Sequence, residues 1–400
     1  MIPINPSEEL ELLAGTTNLQ IIPTEPYNEL VCEFLDDLSK GLLENIRAYP
    51  DVSAFAFWCR KSNIQKLKQA YKEPYARIGL GLVFHVAPSN VPINFAFSYV
   101  FSLIAGNANL VRVPSKKFGQ VELVCNTLKT IFENKKYTEI CNKSAFIRYK
   151  QNDSITSRFS EISHARVIWG GDETIRHVRS LPRMERAIDI AFADRFSICV
   201  LDAPSIKELT ESQLKSLAVD FYNDTYLMDQ NACSSPHLII WQGQEKTSAK
   251  NRFWPAVAHS VKERQSLSQV QVVDKYILMC QNLIEGTQNQ KASIDNQFVY
   301  RVELSELSGD VDKLRGRFGL FYEYDLDSIV GSDALKTIVN TKYQTLTYFG
   351  INKVQLVNYL VKHHLLGVDR IVPVGKALDM GVFWDGFDIV KSLSRVIFTQ

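Results

Sequence analysis

The chain has 400 residues, 46% of them hydrophobic, and a formal net charge of +1. That balance can bury a large core across two or three domains and gives no electrostatic case for binding nucleic acid or a membrane surface. No apolar stretch approaches the roughly eighteen residues of a membrane span, and the first residues carry no basic-plus-apolar signal, so a cytoplasmic location is expected.

Residues 1–76 carry amphipathic patterns around 27–46 and 52–71 and are expected to form an N-terminal helical region. Leu80 to Val86 is then a nearly continuous apolar run, bounded by the turn residues Pro88-Ser-Asn-Val-Pro92. Such a run reads as a buried strand of a parallel sheet. A helix over 93–105 and a strand from Asn109 to Val113 complete a βαβ unit. Further strands near 145–149, 165–169 and 197–202 carry a doubly wound sheet to about residue 215. Within it, Ala165-Arg-Val-Ile-Trp-Gly-Gly-Asp-Glu-Thr-Ile-Arg176 reads as a strand, a Gly-Gly turn and a helix start. Backbone N–H groups at such a turn suit a phosphate.

A helix over 211–223 opens a second domain with strands near 237–241 and 298–304. This domain carries the segment Tyr226-Leu-Met-Asp-Gln-Asn-Ala-Cys-Ser-Ser-Pro236. Small residues around Cys233 can bring a thiol up to an acyl carbon without obstruction, and a cysteine nucleophile needs such a partly open, electropositive setting. The other cysteines, at 32, 59, 125, 141, 199 and 280, form no Cys-x-x-Cys pair, and all seven are read as reduced thiols.

In order and spacing these segments resemble the aldehyde dehydrogenase superfamily. Pro88-Ser-Asn-Val-Pro92 is similar to its Pro-x-Asn-x-Pro turn, and Ala105-Gly-Asn107 through Val113-Pro-Ser115 to its cofactor-ribose strand. Gly170-Gly171 resembles its pyrophosphate turn, and Asn231-Ala-Cys233 its nucleophile. A closer resemblance, from about Arg77 onward, is to the LuxC-type acyl-CoA reductases (long-chain fatty acid reductases). It rests on Trp169-Gly-Gly-Asp-Glu173, Asp229-Gln-Asn-Ala-Cys-Ser-Ser-Pro236 and the run from Gly367 to Gly386 that contains Asp369-Arg370 and Trp384-Asp-Gly386.

The resemblance implies an α/β, aldehyde dehydrogenase-like fold: two doubly wound α/β domains with a cleft between them. A dinucleotide-binding domain is expected over 77–215, a catalytic domain over 216–375, and a segment over 376–400 that returns to the first domain or makes an oligomer contact. The activity implied is reduction of an acyl-CoA or acyl-protein thioester to an aldehyde through a thioester on Cys233. The Asn90 side-chain amide and the Cys233 backbone N–H would hold the oxyanion. Oxidising relatives carry a glutamate that activates water, and alignment of Ser197-Ile-Cys-Val-Leu-Asp202 puts Ala191 in its place. Where NAD-preferring relatives hold the adenosine ribose with a glutamate, this chain has Lys116, flanked by Arg112, Ser115 and Lys117. Lysine attracts a 2′-phosphate that a carboxylate repels, so NADPH is the expected cofactor.

Gly316-Arg-Phe-Gly319 stands where relatives have a Glu-x-Phe-Gly element, without the glutamate, which leaves the nicotinamide-ribose contact unassigned. His237 opens an apolar strand and reads as structural rather than as a proton donor, and no Cys/His/carboxylate cluster has zinc spacing. By resemblance the partners are an acyl-protein synthetase and further copies of the chain. Two rival readings are an acyl-phosphate reductase of the glutamyl-phosphate type and a non-catalytic scaffold of the same fold.

Overall fold

The computed structural model describes residues 1–44, 49–88, 91–285 and 290–400. The chain divides into two compact units, Met1–Ala193 with Val382–Gln400, and Asp194–Gly381.

In the first unit a six-stranded sheet runs in the order Glu11–Gly15, Ser144–Arg148, Ala108–Arg112, Leu82–Val86, Ala165–Trp169, Ile188–Phe192. All pairings are parallel except that of Glu11–Gly15 with Ser144–Arg148. The chain winds outward from Leu82–Val86 to one side, then jumps back to Ala165–Trp169 on the other. The order therefore reverses at Leu82–Val86, and ligands of open α/β sheets gather outside the carboxyl ends of strands at such a point. Leu82–Val86 is buried throughout, as its nearly continuous apolar run, interrupted only by His85, requires of a strand covered on both faces. The helix Asn94–Ile104, next in the chain, is buried from Phe95 to Ile104, because a helix apolar on every side has no face to offer water.

Residues 1–76 do not form a purely helical region. Their helices are Glu29–Leu43, Pro50–Cys59 and Lys61–Ala70, but Glu11–Gly15 is an edge strand of the main sheet, and Ile2–Pro3 pairs with Asn18–Leu19. The helix expected over 52–71 is broken at Arg60, whose extended ψ of 144° interrupts the hydrogen-bond ladder; the Asp36 carboxylate accepts from Lys61 N at 3.0 Å and caps the restart. The end of the helix expected to reach Ile46 falls outside the described residues.

The second unit holds a seven-stranded sheet in the order Lys291–Ile294, Tyr300–Glu303, Leu320–Leu326, Pro236–Gln242, Phe196–Asp202, Tyr343–Phe349, Arg370–Pro373. Only the hairpin of Lys291–Ile294 with Tyr300–Glu303 is antiparallel. Phe196–Asp202, expected as the last strand of the first sheet, is central here, between Pro236–Gln242 and Tyr343–Phe349. The first unit accordingly ends at Ala193 rather than near 215, and the second runs to Gly381 rather than 375. Alternate side chains feed two cores: Cys199, Leu201, Ile239 and Trp241 join one cluster, and Ile198, Val200, Leu238 and Ile240 the other. At about 1.5–3 kcal/mol for each fully buried aliphatic or aromatic side chain, this two-sided burial makes the sheet the rigid base of the unit.

Residues 382–400 pack on the first unit. Ser394–Ile397 pairs antiparallel with Ala76–Gly79, and the Arg77 guanidinium donates to the carbonyls of Lys391 and Ser394, both at 2.6 Å. Asp385 and Gly386 both have positive φ, 48° and 77°, and join the strands Phe383–Trp384 and Phe387–Asp388. Two left-handed residues in a two-residue loop are what a type I′ hairpin demands, which explains the Trp-Asp-Gly sequence structurally.

Candidate active site

The helix Glu211–Thr225 starts with a capping box between Thr210 and Gln213 and runs into the single turn Tyr226–Met228. Asp229 and Gln230 then both take left-handed conformations, φ 50° and 59°. Two such residues in a row are costly for non-glycines and persist only where the surroundings dictate them. The Gln230 side chain supplies part of that restraint, donating to Leu320 O at 3.2 Å and accepting from Gly319 N at 2.7 Å. The Asp229 carboxylate, pushed up by burial, accepts from Gln265 Nε2 at 2.9 Å. The chain then closes a tight turn, Ser235 N to Ala232 O at 2.9 Å, before Pro236–Gln242 begins.

Cys233 sits in that turn with its side chain half-buried. Its carbonyl accepts from Ser197 Oγ at 2.7 Å, and Ser197 Oγ in turn accepts from Thr345 N at 3.1 Å. One buried hydroxyl thus ties the cysteine to two strands of the sheet. Cys233 Sγ lies 3.9 Å from Asp194 Oδ1, and the other oxygen of Asp194 is paired with Arg315 Nη2 at 2.7 Å. Cys59, Cys125 and Cys199 are different in kind. They are fully buried, and burial pushes their thiols upward, that of Cys125 to about 12, so they are inert.

The Gly316-Arg-Phe-Gly319 turn is fastened to the cysteine segment. Besides the Gly319–Gln230 bond, Phe318 N donates to Asp229 O at 3.4 Å, and Gly316 N donates to His237 Nδ1 at 3.2 Å. Gly319 has φ +89°, and a Cβ there would stand 2.0 Å from Phe298 O. Lys275 Nζ, wholly buried, donates to Phe318 O at 2.9 Å and Gln297 O at 2.7 Å, with burial pulling its ammonium down to about 7. His237 is pulled down to about 3, by burial first and then by the charge of Arg315, so it is neutral. With Nδ1 accepting a backbone N–H and its ring stacked on Phe196 at 5.4 Å, it holds the turn and stays uncharged at neutral pH.

In the first unit, Arg112 ends its strand, with Ser115 and Lys116 exposed just beyond it. Gly170 and Gly171 follow Ala165–Trp169. These two strands flank Leu82–Val86, so all five residues stand at the carboxyl edge where the strand order reverses. The Arg112 guanidinium lies over the Tyr149 ring at 4.4 Å, and the Lys116 ammonium over Phe118 at 5.2 Å. Both cations thus lie against aromatic faces at the carboxyl edge of the sheet. The glycine turn fits a phosphate only loosely: Gly170 N already donates to Phe192 O at 3.2 Å, and Asp172 and Glu173 occupy the first turn of the helix Asp172–Ser180. Those carboxylates already complement the helix dipole and oppose an added anion. Gly171 opens on free space, with nothing within 4 Å of a Cβ position. Asn90 lies outside the described residues.

Residues 62–396 match the acyl-CoA reductase (LuxC) family. The chain belongs to that family. No match was found among curated proteins. Among solved structures, this LuxC-family chain is similar to aldehyde dehydrogenase 21 from Physcomitrella patens, at 11% identity and a TM-score of 0.65, over 92% of this chain and 85% of that one. It is also similar to an NAD-dependent benzaldehyde dehydrogenase from Corynebacterium glutamicum (12% identity, TM-score 0.59, 91% and 84% covered). A salicylaldehyde dehydrogenase from Pseudomonas putida G7 matches at 10% identity and a TM-score of 0.60, with 93% and 85% covered. The fold is thus that of the aldehyde dehydrogenases, and family membership makes the protein an oxidoreductase. Among the described residues, no helix is long and apolar enough to cross a membrane.

Three of the sequence motifs gain a structural reason. Trp169 stacks on Phe192 at 3.9 Å and donates to Ser98 Oγ at 3.2 Å. Ser98 in turn meets the buried His85 at 2.7 Å, whose other nitrogen meets Asn109 Oδ1 at 3.0 Å, so three strands and the helix Asn94–Ile104 are pinned together. Asn107 accepts from Gly81 N at 3.1 Å and donates to Leu393 O at 2.9 Å, which ties the C-terminal segment into the first unit. Asp369 and Arg370 also brace backbone, Asp369 through Arg195 at 2.5 Å and Arg370 through the carbonyls of Lys376, Ala377 and Asp379. Asp194, whose Oδ1 lies 3.9 Å from Cys233 Sγ, was not among the residues that sequence reasoning expected at the site.

Proposed function

We propose that this LuxC-family oxidoreductase reduces an activated acyl group, presented as acyl-CoA or an acyl-protein thioester, to the aldehyde, with NADPH as reductant and Cys233 as the acyl carrier. The observation that carries the reading is the setting of Cys233: a half-buried cysteine on a turn fastened by Ser197, Asp229 and Gln230. Fixed placement of a nucleophile supplies much of the rate gain in acyl transfer.

In this scheme Cys233 Sγ attacks the thioester carbonyl, the thiol of the acyl donor leaves, and an acyl group remains on the enzyme. A bound reduced nicotinamide would supply the hydride for reduction of that acyl group, and Cys233 would be freed as its sulfur leaves the aldehyde carbon. Ala191 packs against the apolar cluster of the first unit and puts no carboxylate where oxidising relatives carry their water-activating glutamate. The acyl-enzyme is then set to react with hydride or with a returning thiol, neither of which needs a water activated from that position. Arg112, Ser115 and Lys116 are assigned to the adenosine phosphate, with Gly171 at the pyrophosphate and Asn90 at the oxyanion. An acyl-protein synthetase and further copies of the chain are the proposed partners, and the cytoplasm the proposed compartment.

The test is steady-state NADPH oxidation against a panel of acyl-CoAs of increasing chain length, together with incubation with labelled acyl-CoA in the absence of NADPH. Hydroxylamine-sensitive label on Cys233 is expected. Cys233→Ala is expected to lose both label and turnover, and a label that persists in that variant overturns the assignment.

A further inference from the structure

We infer that Asp194 is a catalytic residue, the proton acceptor for the Cys233 thiol during acylation and the donor to the departing thiol. The inference rests on the reading that Cys233 carries the acyl group.

Three observations converge on it. First, Asp194 Oδ1 is 3.9 Å from Cys233 Sγ, within reach of an S–H donor. Second, the carboxylate is aimed. Arg315 Nη2 holds the opposite oxygen at 2.7 Å, while Arg315 Nη1 donates to Arg195 O at 3.3 Å and Nε to Asp312 Oδ1 at 3.3 Å. The guanidinium is thereby fixed on three sides, and Oδ1 is the oxygen turned to the sulfur. Third, the neighbouring alternative is spent: His237, four residues after the cysteine, is buried and neutral, with Nδ1 occupied by Gly316 N.

The chemistry balances without a further reagent. As the Sγ–C bond forms, the S–H proton passes to Asp194 Oδ1 and the carbonyl electron pair moves to oxygen. When that oxyanion collapses, the bond from carbon to the leaving sulfur breaks, and the proton on Asp194 goes to that sulfur. Asp194 returns to its carboxylate form, and nothing is oxidised or reduced in this half of the cycle. A carboxylate placed to take the thiol proton as attack proceeds lets acylation run without a preformed thiolate.

A pair of reactions at the same sulfur gives a test which a merely structural role does not mimic. Two rates are measured in the wild type, Asp194→Asn and Asp194→Glu: the burst of p-nitrophenolate when p-nitrophenyl acetate acylates Cys233, and alkylation of Cys233 by iodoacetamide, followed by peptide mass. In Asp194→Asn the burst is expected to slow on the order of a hundredfold, in the range for loss of a positioned proton acceptor. Alkylation of the same sulfur at neutral pH is expected to speed up, because the opposing charge is gone. Asp194→Glu keeps the carboxylate and is expected to recover most of the burst rate. A burst in Asp194→Asn within about twofold of wild type, or burst and alkylation falling together in both variants, overturns the inference. A wild type that shows no Cys233-dependent burst instead removes the acyl-carrier reading on which the inference depends.

Discussion

Ser197→Ala removes a single oxygen and is expected to loosen the nucleophile turn and weaken the second unit together. Ser197 is wholly buried; its hydroxyl donates to Cys233 O and accepts from Thr345 N. Alanine leaves a carbonyl and a buried N–H without that partner. Each unsatisfied buried group costs about 1–3 kcal/mol, and some relaxation toward water at the half-exposed cysteine brings the sum to about 2–3 kcal/mol. For a unit of this size that corresponds to a melting point lower by roughly 4–12 °C. The catalytic effect follows from placement: a displacement of about 1 Å at a reacting atom can cost on the order of a hundredfold. Differential scanning calorimetry and the Cys233 acylation burst measure the two effects on one sample. A variant with wild-type melting point and wild-type burst rate refutes the argument that this hydroxyl positions the nucleophile. A lowered melting point with an unchanged burst refutes only its catalytic part.

Lys116→Glu is expected to narrow or reverse a preference for NADPH over NADH of at least tenfold, about 1.4 kcal/mol, read by fluorescence titration of both cofactors; equal affinities in the wild type would mean the basic group is only a solvated surface. With no base at Ala191, aldehyde oxidation with NADP⁺ should give free acid slowly and should quicken when CoA is supplied, as free acid and acyl-CoA formed per NADP⁺ reduced will show. Gly319→Ala is expected to destabilise the second unit or prevent its folding, because the new Cβ would meet Phe298 O at 2.0 Å in a backbone with φ +89°; a wild-type melting point would contradict this. Lys275 is held near 7 by burial, below the ordinary value of about 10.4 that it regains on unfolding, so the unfolded chain binds the extra proton between those limits and this lysine makes stability rise with pH there, by at most about 1.4 kcal/mol per unit. Lys275→Met should remove that increment, seen as a flatter difference in urea midpoint between pH 7 and 10.

How much of this was legible in the sequence follows from what kind of signal each residue leaves. Strands such as Leu82–Val86 and Pro236–Gln242 announce themselves, since a strand covered on both faces must be apolar along its length. The helix Asn94–Ile104 does so for the same reason, and the Cys233 and Gly170-Gly171 motifs are local, carried by adjacent residues. Which sheet a strand enters is another matter: Phe196–Asp202 is apolar enough for either, and only its parallel pairings with Pro236–Gln242 and Tyr343–Phe349 put it in the second. Glu11–Gly15 is short and lies on an edge, where half its backbone needs no partner and its pattern is weak. Asp194 left no local signal at all, because its significance comes from a sulfur 39 positions away. Gln230, likewise, reads as one more polar residue until Gly319 and Leu320 are brought against its amide. Backbone periodicity and short motifs are properties of neighbouring residues and survive in the linear chain. The pairing of a carboxylate with a thiol, or of an amide with a distant turn, exists only after the sheet has closed the distance between them.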